Sequence, residues 1–71
     1  MKKEEYLERL GKKIEELRIE KGISQTDFAK LIGISRMQLY RFEKGQREIG
    51  VHGIGLIATA LNVKASELIN C

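Results

Sequence analysis

Apolar residues recur along this chain at helical spacing. In Met1 to Lys21, the side chains of Tyr6, Leu7, Leu10, Ile14 and Leu17 fall within about 100° of one another on a helical wheel. That arc is the width of a core-facing stripe, so the segment reads as an amphipathic helix. Its other faces alternate Lys, Glu and Arg, giving i,i+4 pairs worth about 0.2–0.5 kcal/mol each, which support a helix without making a site. Gly11 interrupts the pattern and weakens such a helix by roughly 1 kcal/mol, which predicts loosely held first turns. Ile19 lies opposite the stripe, either as a lone exposed residue or as a contact with another chain. Gly22 ends this helix, and Ile23 opens the next core contact.

Two short patterns follow. Gln25 to Ile32 offers Phe28, Ala29, Leu31 and Ile32 to the interior, with Ala29 small enough for two helices to cross closely. Arg36 to Lys44 places Leu39 and Phe42 on one side. Then Ile54, Ile57, Ala58 and Leu61 predict a fourth helix from about Gly53 to Leu61, and Lys64 to Ile69 a fifth. Lysine cannot accept a hydrogen bond as a cap, so the fifth is expected to be short and frayed. Between the third and fourth, Gly50, Gly53 and Gly55 predict a flexible connection, flanked by Ile49, Val51 and Ile54 as core or interface residues. The expectation is an all-α chain of five helices.

The second and third helices carry start and stop signals. Ser24 has Asp27 three residues on, and Ser35 has Gln38 three residues on. Each pair matches a capping box, in which the hydroxyl accepts from a free backbone N–H and the later side chain reaches back. Gly33 suits the left-handed end of a helix. Two capped helices joined by a turn at Gly33-Ile34-Ser35 have the form of a helix-turn-helix, whose second helix enters the DNA major groove. At about 100° per residue, one arc of that helix collects Arg36, Met37, Tyr40, Arg41 and Lys44, with no acid among them. The opposite arc holds Gln38, Leu39, Phe42 and Glu43. An inward Glu43 needs a cationic partner, because an unpaired buried charge is very costly.

The pattern Gln25, Phe28-Ala29, Gly33-Ile34-Ser35, Leu39, Phe42-Glu43 and Gly45 resembles the Cro/repressor-type helix-turn-helix regulators, the XRE family. The likeness runs over about residues 8 to 69 and includes Gly22 and Ala60-Leu61-Asn62-Val63. It implies a compact five-helix bundle of the lambda-repressor-like type, with Arg18 pairing to Glu43 and tying the first helix to the third. It also implies that Gln25, at a helix start that attracts phosphate, positions the DNA backbone. The loop Gln46 to Gly55 departs from the family: it lacks the usual proline and is about one residue longer than in the shortest members.

Within the motif, helix N-terminal residues reach base edges. Arg36 is the first choice for base readout, since its planar fork matches guanine O6 and N7, and Arg41 is the second. Met37 either packs on a thymine methyl or is exposed by chance. Gln38 either closes the capping box or reads adenine. Tyr40, Lys44, Gln46 and Arg47 are expected on the DNA backbone with Gln25, around a Gly45 whose backbone can come close to the DNA.

Charge sharpens this reading. The net charge is +3, and residues 1–22 are nearly neutral with seven cations and six acids. Arg36 to Arg47 hold four cations against Glu43 alone, the footprint of an anionic partner. Seventy-one residues predict one small domain, 1–71. No apolar run spans a bilayer and no signal peptide precedes the charged start, so a cytoplasmic, bacterial or phage protein is expected. A single cysteine, Cys71, fits a reducing compartment and has no assigned role. His52 has no partners at metal-ligand spacing, leaving a phosphate contact or plain exposure. No cofactor or small-molecule ligand is implied, and the parts of an enzyme site are missing. The resulting expectation is a regulator that binds palindromic duplex DNA as a homodimer, through helices 4 and 5 and the 46–55 loop. The competing expectation is a protein-interaction module such as an antitoxin or anti-repressor component.

Overall fold

The computed structural model describes residues 2–69, which form five helices. They are α1 (Lys3–Glu20), α2 (Gln25–Ile32), α3 (Arg36–Glu43), α4 (Val51–Leu61) and α5 (Ala65–Ile69). Cys71 and the Met1 end of the first predicted helix lie outside the described residues. Each helix contributes to a single buried apolar cluster: Leu10 and Ile14 from α1, Phe28, Ala29 and Ile32 from α2, and Leu39 from α3. Ile57, Ala58 and Leu61 from α4 and Leu68 from α5 close it, with Ile49 entering from the loop. Tyr6, Leu17, Ile23, Phe42 and Ile54 pack around its edge. Burial of these side chains holds together helices too short to persist alone, since isolated helices under about 12–15 residues are marginal in water.

Leu31 departs from expectation, being 64% exposed. Phe28, Ala29 and Ile32 define the inner face of α2, and Leu31 sits about 110° from its centre at helical spacing. An eight-residue helix crossing the core can bury one stripe, and Leu31 is outside it.

Gly11 also has a role the periodicity did not suggest. It is buried in α1, and a Cβ there would lie 2.6 Å from the Glu43 carbonyl oxygen and closer still to that of Phe42. The gap in the apolar pattern is where α1 meets the last carbonyls of α3. Gly45 makes the same approach from the other side. Its φ of +71° is left-handed, and a Cβ would meet Glu8 Cα at 2.8 Å. Inside the molecule, the close neighbour of Gly45 is therefore the α1 backbone.

Helix α4 begins at Val51, two residues before the predicted start at about Gly53, so less of the glycine-rich stretch is loop than expected. Gly50 is the N-cap of α4, whose first backbone bond runs from Ile54 N–H to Gly50 C=O at 2.9 Å, and Gly53 and Gly55 lie inside the helix. Each glycine costs a helix about 0.8–1 kcal/mol relative to alanine, and burial of Ile57, Ala58 and Leu61 at about 1.5–3 kcal/mol per large side chain outweighs it. Of the three flanking apolar residues, Ile49 is buried and Ile54 half-buried, whereas Val51 is 90% exposed.

Candidate nucleic-acid interface

Local chemistry fixes where α3 begins. Gly33 adopts φ 75°, ψ 32° and turns the chain, and Ile34 N–H returns to Ala29 C=O at 3.0 Å. Ser35 Oγ then accepts from Gln38 N–H at 3.1 Å, while Gln38 Oε1 accepts from Ser35 N–H at 3.3 Å, a complete capping box. The capping-box reading of Gln38 is thus met in the structure. The α2 start is simpler. Ser24 Oγ accepts from Asp27 N–H at 3.1 Å, and the structure shows no return bond from Asp27. Aspartate is one methylene shorter than the Glu or Gln of a full box, so the expected reciprocity is absent.

The arcs of α3 fall as the wheel predicts. Leu39 and Glu43 are buried and Phe42 half-buried, while Arg36, Met37, Tyr40, Arg41 and Lys44 are exposed. Gln46 and Arg47 continue the exposed surface past the helix end. Lys44 Nζ stands 5.7 Å from the Tyr40 ring centroid, a cation–π distance that gathers both side chains on the outer arc. The next acid, Glu48, bonds to Lys3 of α1 at 3.1 Å, with both side chains largely exposed.

Glu43 is the only acid of α3, and its charge is met inside the molecule. Arg18 Nε donates to Glu43 Oε2 at 2.7 Å and its NH2 to Oε1 at 3.2 Å, a two-pronged pair. Arg18 NH1 also donates to the Ile23 carbonyl at 2.7 Å, tying the α1–α2 connection to the same group. The pairing implied by the family resemblance is thus present. Gln25 joins it: Nε2 donates to Glu43 Oε1 at 2.9 Å, and Oε1 accepts from Arg36 NH1 at 3.3 Å. One amide therefore links the buried pair to the first arginine of the exposed face. Sequence spacing gives no hint of this, because Gln25 and Arg36 lie 11 residues apart and meet only through the turn. His52 is exposed at the start of α4.

Two short helices meeting through an αL glycine turn, the second presenting a basic, acid-free side to solvent, define a helix-turn-helix domain. Residues 14–68 match the HTH_3 helix-turn-helix family, and the chain belongs to that family. It is 42% identical over 53 residues to an uncharacterised HTH-type transcriptional regulator of Rickettsia conorii, a match covering 75% of this chain and 42% of that protein. It is 33% identical over 60 residues to the antitoxin PezA of Streptococcus pneumoniae, covering 84% of this chain and 38% of that one. The chain thus spans about two-fifths of the length of these curated relatives. Among solved structures, the restriction-modification controller protein C.AhdI of Aeromonas hydrophila superposes with a TM-score of 0.84 at 39% identity, over 87% of this chain and 94% of the other. Among the described residues, no helix is long and apolar enough to cross a membrane.

Proposed function

We propose that this chain is a sequence-specific duplex-DNA-binding transcriptional regulator that lays α3 in the major groove. The observation that carries this is the acid-free outer arc of α3, made possible by the neutralisation of Glu43 by Arg18 inside the molecule. Arg36, Met37 and Arg41 are the base readers. Tyr40, Lys44, Gln46 and Arg47 meet the phosphates, and Gln25 holds Arg36 in register beside them. One such motif covers about half a turn of DNA, so the regulator acts as a homodimer on a palindrome with half-sites about 34 Å apart. A body of 31 × 24 × 21 Å allows two copies side by side to present α3 helices at that interval. Likeness to a restriction-modification controller favours a compact repressor or controller working in the cytoplasm on the DNA it reads.

The test is enrichment of duplexes from a random pool, followed by affinity measurement across salt. A palindromic motif should emerge, Arg36→Ala and Arg41→Ala should each lose preference at distinct base positions, and affinity should fall steeply as salt rises. Lys44→Ala should weaken binding to all sequences and reduce the salt slope by about 1. The antitoxin relative supports a second reading, a protein-binding module. That reading gains ground if the pool returns no motif and partner binding is insensitive to salt.

A further inference from the structure

Two amides approach the reading face, and internal bonds engage both. Gln38 Oε1 accepts from Ser35 N–H, folding the side chain back along the helix. Gln25 donates to Glu43 and accepts from Arg36. Reading adenine takes the oxygen and nitrogen of one amide together, on N6 and N7. Both amide oxygens are already engaged by one internal bond each, which fixes the orientation of the amides before DNA is met.

The first turn of α3 is left with an arginine and a thioether. Arg36 gives one NH1 hydrogen to Gln25, which steadies the guanidinium and leaves Nε–H and NH2 to fork onto guanine. Met37, its neighbour, is 46% exposed and has no place in the buried core. An apolar tip distinguishes bases in the major groove by the C5-methyl group of a pyrimidine.

We propose that this face reads a guanine beside a C5-methylated pyrimidine, and that binding senses the methyl group itself. The protein then favours thymine over uracil and 5-methylcytosine over cytosine, so cytosine methylation in the site strengthens binding. The inference rests on the duplex-DNA reading above and adds the chemical group recognised.

The test starts from a duplex enriched by the full chain. Each thymine is replaced in turn by uracil, which deletes the methyl and leaves pairing and groove acceptors unchanged. At one thymine per half-site, beside the guanine that Arg36→Ala ceases to prefer, uracil should lower wild-type affinity by about fourfold, the worth of one buried methyl. Met37→Ala, an exposed substitution, should be indifferent there. With cytosine at that position, C5-methylation should raise wild-type affinity by a similar factor and leave Met37→Ala unchanged. Gln38→Glu, which can still close the capping box, should keep the same pattern of base preference while binding more weakly overall.

A wild type indifferent to uracil at every thymine overturns the proposal, as does an equal uracil effect in Met37→Ala. So does an altered base preference in Gln38→Glu. Each of these outcomes leaves DNA binding standing, whereas a pool with no enriched duplex overturns the DNA reading itself.

Discussion

Gly11 and Gly55 both lie inside helices, and a methyl group added to each should have opposite effects. At Gly55 a Cβ meets nothing within 4 Å, so Gly55→Ala should stabilise the chain by about 0.5–1 kcal/mol, through helix propensity and a less flexible unfolded state. At Gly11 the same methyl runs into the α3 carbonyls, which are backbone and cannot rotate away. Gly11→Ala should cost about 1–3 kcal/mol, and denaturant titration of the two variants reads the difference in sign. The Arg18–Glu43 pair allows another comparison. Arg18→Met leaves Glu43 buried without its cation and should cost about 3–5 kcal/mol, much of a small domain's stability. Adding Glu43→Leu removes the orphaned charge, and the double variant should regain most of that loss. A double variant no more stable than the single would mean that the pair is not the source of the penalty.

Caps and packing together set the elements. Helices α2 and α3 have eight residues each, and their starts and stops are written locally in Ser24, Gly33 and Ser35. Of the two N-caps, Ser35 carries the heavier duty, since its bonds organise the turn that presents Arg36 and Met37. Ser35→Ala should cost about 1 kcal/mol and speed hydrogen exchange at the Gln38 amide, with Ser35→Asp keeping most of the native value. The same local reasoning began α4 two residues late, at about Gly53, because the glycines there weighed against helix on propensity. Packing of Ile57, Ala58 and Leu61 reverses that balance, and Gly50 serves as the cap at the helix start.

At the scale of the molecule, apolar side chains remain uncovered away from the α3 arc. Val51 and Leu56 of α4 and Ile69 of α5 are exposed, in the region the sequence nominated for pairing two copies. Under the homodimer proposal, Leu56→Lys should shift sedimentation toward monomer and weaken binding to a full palindrome more than to a half-site. Its folding free energy should change by no more than about 0.5 kcal/mol, as for other surface substitutions. A variant that stays dimeric would move the interface elsewhere, with Ile19 and Leu31 the remaining exposed apolar candidates.

The linear order of residues was enough to determine the helices, the αL turn, the Ser35 box and the two arcs of α3. Each depends on side chains within four residues of one another, and helical periodicity converts that spacing directly into position. It also implied, through family likeness, the Arg18–Glu43 pair. Tertiary packing alone decided that Gly11 and Gly45 let α1 and the end of α3 touch, that Leu31 faces outward, and that Gln25 joins Glu43 to Arg36. These depend on how closely backbones approach and on which groups meet across a crossing. Such contacts are set by the summed burial of all five helices, a quantity that no local stretch of the chain contains.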